Sequence, residues 1–206
     1  MKRLPYESEM KRLNEFLTKH RLKLVRLIAK GHSSFVFLVK RGRKKFALKL
    51  EREDSTRKDM LEKEVSNLKK ANKLGIGPKL YNYDKKRRII LMEHIEGKTF
   101  NEWLFEERKR SELIQFLAEL FRQAIEMDKA GLDHGQLGGR GVNILVRNNL
   151  PVIIDFEKAS QKRKAHNFSK LLAHLLINRH SVISSRVWEI LRKNKGSYSK
   201  SSSSGL

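Results

Sequence analysis

The 206-residue chain carries 46 lysines and arginines against 23 aspartates and glutamates, a formal charge of +23, with 39% hydrophobic residues and no cysteine. That size suits one domain or two small lobes sharing a cleft, and recurring apolar runs separate the chain from a disordered polyelectrolyte. Without thiols, disulfide frameworks, disulfide-linked partners and thiolate–zinc sites are excluded, which points to a cytoplasmic setting; the basic start lacks the apolar region of a secretory signal, and no run approaches the roughly 18 apolar residues of a membrane span.

In chain order, Met10, Leu13, Phe16 and Leu17 recur at helical spacing and predict a helix over 6–20. The texture then changes to runs of Leu, Val, Phe and Ile broken at Gly31 and at the basic turn "KRGRKK", which predicts three antiparallel strands near 23–30, 34–40 and 44–50. Leu61, Val65, Leu68 and Ala71 share one stripe of a helix over about 55–73, stopped by "GIGP". Two further strands, 79–83 and 88–94, flank the turn "DKKRR". Helices follow at 101–108 and 111–130, then the short buried strands of "NILV" and "PVIIDF" around an Asn-Asn turn, then helices at 166–178 and 181–193. Strands first and helices later give an α+β class. The divisions are a helical extension over 1–22, a strand-rich lobe over 23–96, a short, mostly helical lobe over 97–195 and a disordered serine-rich tail over 196–206.

Four local features carry chemistry. Gly31, Ser33 and Ser34 in "GHSSFV" sit at a hairpin tip, where backbone amides can approach phosphate oxygens. Strand alternation puts Lys49 of "FALKL" on the face shared with Ala47, and an inward ammonium needs an anion, for which Glu64 is the candidate. "IILMEHIEG" is a buried strand that turns polar before a glycine, as a strand entering a linker would, and offers the backbone groups of Glu93 and Ile95 to an adenine edge. Asn143 and Asp155 each adjoin a short apolar strand and supply hard oxygen ligands suited to magnesium. A solvent-facing edge lysine is the competing reading of Lys49, and a structural capping aspartate that of Asp155.

In this order the features resemble the protein kinase-like superfamily over about residues 24–178, and in style the small atypical archaeal-type serine/threonine kinases: RIO kinases and the small kinase of the KEOPS tRNA-modification complex. The resemblance implies a bilobal fold with a five-stranded antiparallel sheet plus helix in the N-lobe and a truncated helical C-lobe. It makes Gly31 part of the glycine-rich loop, Lys49 the phosphate-binding lysine, Glu64 its helix partner, Met92 the gatekeeper, Glu93–Ile95 the hinge, and Asn143 and Asp155 the metal ligands. It also implies ATP and Mg2+ as cofactors, and the protein itself or a bound protein as phosphate acceptor.

The pattern departs from the family in three places. The loop keeps one glycine, Glu157 replaces the last residue of Asp-Phe-Gly, and "HGQL" carries Gln136 where the catalytic aspartate is usual, with two extra residues before Asn143. Gln136 can orient a hydroxyl but cannot take its proton, which makes Asp133 with His134 the expected proton handlers, and Arg140 a further contact for the terminal phosphate. The predicted activity is slow or specialised phosphoryl transfer, since this reaction depends more on positioning and charge than on base strength. A nucleotide-binding pseudokinase or ATPase acting as an RNA- or ribosome-binding scaffold is the alternative, and a small-molecule kinase of the aminoglycoside or choline type fits a basic C-lobe less well. The surplus charge predicts an RNA or ribosome contact at the turns 40–45 and 84–88, expected to share one edge of the first lobe.

Overall fold

The computed structural model describes residues 5–55, 60–138, 143–178 and 180–193. A five-stranded antiparallel sheet, ordered β1-β2-β3-β5-β4, is built from β1 (Lys23–Lys30), β2 (Ser34–Arg41), β3 (Lys44–Glu51), β4 (Leu80–Asp84) and β5 (Ile89–Glu93). Alternation decides what each face buries. Phe46, Leu48 and Leu50 of β3 join Phe35, Phe37 and Val39 of β2 beneath helix α1 (Glu7–Lys19), which contributes Leu13, Phe16 and Leu17. On the opposite face Leu61 and Val65 of helix α2 (Met60–Lys73) meet Ile90. The sheet is therefore covered on both sides, and Lys49, out of phase with Leu48 and Leu50, points toward α2 and the cleft.

The second lobe is mostly helical. Helix α3 (Phe100–Phe105) and the long α4 (Arg110–Lys129) bury Phe100, Trp103 and Phe116 as a stack, with Phe116 centred 5.0 Å from Phe100 and 4.7 Å from Trp103. A three-stranded sheet, β6-β7-β8, comprises β6 (Lys98–Thr99), β7 (Ile144–Arg147) and β8 (Leu150–Ile153). Asn148 and Asn149, at φ 52° and 60°, make the tight β7–β8 turn, a geometry that asparagine tolerates better than most residues. Strand β6 was not predicted. It exists because Gly97 brings the linker onto β7, so close that a Cβ there would lie 2.1 Å from the Val146 carbonyl oxygen. Helix α5 (Asn167–Leu172) widens into a π-turn over Ala173–Ile177, and helix α6 (Val182–Arg192) closes the lobe. Among the described residues there are thus six α-helices, and none is long and apolar enough to cross a membrane. Arg140 and the serine-rich tail lie outside the described residues.

The placement of the two basic turns is a correction. Strand β5 runs antiparallel to β3 with Leu50 opposite Ile89 and Phe46 opposite Glu93. The 84–88 turn therefore lies at the end of the sheet that carries the "GHSS" tip, while the 40–45 turn lies at the linker end. The charges of the 84–88 turn are also locally neutralised: Lys85 pairs with Glu62, Arg87 with Asp84 and Glu15, and Arg88 with Glu51.

Candidate active site

The site forms where β3 and α2 meet the loop after β8. Lys49 is 8% exposed, and its ammonium lies 2.8 Å from Glu64, 3.1 Å from Asp155 Oδ1 and 3.3 Å from Glu157 Oε2. Glu64 comes from the buried stripe of α2, whereas Asp155 and Glu157 come from the other lobe, so one cation joins three elements. Burial alone would lower the lysine pKa, but the three carboxylates outweigh it and keep the ammonium charged. Burial pushes Glu64 up to about 7, with Asp155 and Glu157 repelling its charge and Lys49 drawing it back. Asp155, which burial would raise, is instead held below the usual carboxylate range chiefly by Lys49. One positive charge facing three acidic groups leaves a net negative locus, the setting in which a cationic guest is favourable.

Asp155 adopts a left-handed backbone, φ 64° and ψ 73°, an uncommon conformation for a residue with a side chain. The surrounding structure over-determines it. Asn67 of α2 donates to the carbonyls of Phe156 (3.4 Å) and Ala159 (2.7 Å), binding the turn after Asp155 to the first lobe. Phe156 fills the space beside Gly77, where a Cβ would lie 2.8 Å from its ring, and stands edge-on to His134 with ring centroids 5.1 Å apart. Asn143 precedes β7, and its carbonyl accepts the Ile154 N–H at 2.9 Å, so the hairpin's open end sets Asn143 beside the residue before Asp155. Among the described residues no cluster of three His, Cys, Asp or Glu side chains is arranged to hold a metal by itself. An amide and an ionised carboxylate beside excess negative charge are donors that would suit a magnesium ion, whose remaining ligands would come from phosphates and water.

Ser34 of the tip and Met92 before the linker lie on the sheet face that carries Lys49. Val36 of β2 pairs with Lys49, and Ser34 with Glu51, so Ser34 and Val36 share the face of Lys49. Gly31 and Ser34 close the tip through a Gly31 N–H to Ser34 carbonyl bond of 2.8 Å. The Ser33 hydroxyl donates to Glu157 Oε2 at 2.8 Å. Met92 pairs with Ala47, and the Glu93 side chain accepts from Arg147 at 2.6 Å and from the Lys79 N–H at 3.2 Å, clamping the linker. The Glu93 N–H is committed to the Lys79 carbonyl, and the Ile95 backbone makes no backbone hydrogen bond among the described residues.

The catalytic-loop residues are placed differently from one another. Both oxygens of Asp133 are engaged: Oδ1 accepts from Lys170 at 2.9 Å and from the Gly135 N–H at 3.3 Å, while Oδ2 pairs with Arg163 at 2.9 Å. Burial would raise its pKa, but Lys170 and Arg163 prevail and lower it. His134 is fully buried and neutral, since burial lowers its pKa; its Nε2 donates to the Ile154 carbonyl at 2.9 Å. Gln136 is half-buried in the loop that leads to Gly138. Asp133 and His134 thus brace the loop from behind, and of the three Gln136 alone is not committed to the core. Sequence reasoning missed the supports Asn67 and Asn167. Asn167 binds the His134 N–H, the Leu132 carbonyl and Asp128, and no local motif announces such a hub. Glu157 was visible as a departure from Asp-Phe-Gly, but not as a partner of Lys49.

Residues 13–174 match the RIO domain. The chain belongs to the RIO family. It is accordingly an atypical kinase-like protein, and the match covers the first lobe and most of the second. It is 33% identical over 101 residues to the KEOPS complex subunit Bud32 of Pyrococcus abyssi, a match covering 48% of this chain and 44% of that relative. It is 27% identical over 84 residues to an uncharacterized protein of Methanocaldococcus jannaschii, covering 41% of this RIO chain and 71% of that one. The matched stretch is thus less than half the length of Bud32.

Proposed function

We propose that this RIO-family protein is an ATP- and Mg2+-dependent serine/threonine kinase that transfers the γ-phosphate to itself or to a bound protein, in a tRNA- or ribosome-related setting. The observation that carries the reading is the 3.1 Å contact between Lys49 of the sheet and Asp155 of the helical lobe, with Glu64 behind the ammonium. In this reading Lys49 holds the α- and β-phosphates and Glu64 orients it, while Asn143 and Asp155 hold magnesium, which neutralises charge on the phosphates. Gly31, Ser33 and Ser34 line the phosphate side of the cleft. Met92, the Glu93 carbonyl and the Ile95 backbone border the adenine end. Asp133 and His134 act as supports rather than proton handlers, and Gln136 orients the acceptor hydroxyl. As the acceptor oxygen bonds to phosphorus and the bond to the β-phosphate oxygen breaks, the acceptor proton leaves late, to the transferred phosphoryl group or to water. A loose transition state permits this, at a rate below that of kinases with an aspartate base.

Bud32 is a subunit of a complex, which supports a protein partner here too. The charge of +23 supports a polyanion partner. The 40–45 turn is the better candidate for that contact, because Lys40, Arg41, Arg43 and Lys44 have no acidic partner among the described residues, whereas Lys85, Arg87 and Arg88 of the 84–88 turn are each paired with a carboxylate. Gln136 and Glu157 favour a second reading, a nucleotide-binding scaffold or ATPase. Incubation with γ-labelled ATP and Mg2+, with and without RNA, separates these. Label on protein that is lost in Asp155→Ala supports the kinase, free phosphate supports an ATPase, and neither supports a scaffold.

A further inference from the structure

The same oxygen of Glu157 receives two donors from the first lobe. The Ser33 hydroxyl reaches Oε2 at 2.8 Å and the Lys49 ammonium reaches it at 3.3 Å. A hydroxyl at a loop tip and a strand ammonium converging on one anionic oxygen form an anion-binding pair, and the anion now between them belongs to the opposite lobe. The Glu157 side chain is itself 9% exposed, so the contact closes the cleft at that point. Lys49 does not need it as a counterion, since Glu64 and Asp155 already flank the ammonium.

We propose that Glu157 is a built-in stand-in for a phosphate oxygen, an intrasteric latch that ties the loop tip to the helical lobe and must swing away before a triphosphate is gripped. The inference rests on the assignment of this cleft to ATP. The latch makes nucleotide binding weaker than the cleft would otherwise allow, in proportion to the phosphate charge that competes for Lys49 and Ser33. Adenosine, which presents no phosphate, does not contend with it. If Glu157 instead served as a third metal ligand in the loaded site, its removal would weaken rather than strengthen the complex.

Isothermal titration calorimetry on the full chain decides between these, using wild type, Glu157→Gln and Glu157→Asp. Glutamine keeps the size and loses the charge, while aspartate keeps the charge but is one methylene too short to span Ser33 and Lys49 from the same backbone. Lys49 keeps two carboxylates in both variants, so thermal unfolding should stay close to wild type. The expected result is ATP–Mg2+ affinity tighter by about tenfold in Glu157→Gln, the scale of losing a charge-assisted hydrogen bond, and tighter to a lesser degree in Glu157→Asp, with adenosine affinity unchanged. Unchanged or weaker ATP binding in both variants, with adenosine still bound, overturns the latch alone. Absence of both adenosine and ATP binding in every form overturns the nucleotide cleft, and the latch with it.

Discussion

Replacing Lys49 with methionine removes an ammonium shared by three carboxylates while keeping most of the side-chain volume. Lys49 and Glu64 are 8% and 4% exposed, so the variant leaves like charges facing one another in a poorly solvated place. Removing one partner of a buried ion pair typically costs about 3–5 kcal/mol. For a chain of this size each kcal/mol shifts Tm by about 2–4 °C, which gives a fall of roughly 6–20 °C at about pH 8. The loss should depend on pH in a definite sense. Burial has already pushed Glu64 up to about 7 with Lys49 beside it, and removing the cation raises it further. A carboxyl raised in the folded state stabilises most below its unfolded value near 4.5 and loses that contribution as pH rises through the folded value. In the variant Glu64 is therefore protonated well above the acid range, so the Tm deficit against wild type should shrink by about half between pH 8 and 5.5. Differential scanning calorimetry at the two pH values, with ATP–Mg2+ added in a second arm, reads both effects. The ligand-induced rise in Tm should vanish in the variant. A deficit equal at both pH values, or under about 2 °C, refutes the account of the cluster as mutually repelling acids held by one lysine.

Three further substitutions test the fold around the site. Gly97→Ala drives a Cβ to 2.1 Å from the Val146 carbonyl oxygen, so the linker must move off β7, with an expected cost of about 2–4 kcal/mol in urea unfolding; Gly42→Ala, at φ 58° with open space around it, should cost about 1 kcal/mol. Lys170→Ala removes one of the two cations on Asp133, whose lowered pKa contributes stability above its unfolded value that is lost as pH falls through the folded one. The variant should therefore be less stable than wild type at neutral pH, converge with it in strong acid, and show the Asp133 carboxyl titrating higher by NMR.

What the sequence disclosed follows from which interactions are local. Two-residue alternation in "FALKL" orients Lys49 correctly, because Leu48 and Leu50 must seek the core beneath α1. The stripe of Leu61, Val65 and Leu68 likewise orients Glu64 toward the sheet. The Asn-Asn turn between the last two strands follows from asparagine's tolerance of positive φ. What stayed hidden depends on long-range register. The edge on which a basic turn emerges is set by the pairing of β3 with β5, which no hydrophobic pattern encodes. Asn67 and Asn167 bind main-chain carbonyls 92 and 35 residues away, and an asparagine in a helix carries no mark of such a destination. Gly97 reads from sequence as a linker residue; the close approach that requires it appears only once β7 lies beside it.

The helix lying across the outer face of the upper sheet has a mechanical consequence. Phe16 of α1 and Leu48 of β3 share one core, and Leu48 is the neighbour of Lys49 on the same strand. A partner that leans on the outward side of α1, where Lys11, Asn14 and Glu15 face solvent, would press on the back of the strand whose front carries the ammonium. Helix α1 and the strand that carries Lys49 thus form one packed layer, so the ammonium's position is backed by apolar side chains that never enter the cleft.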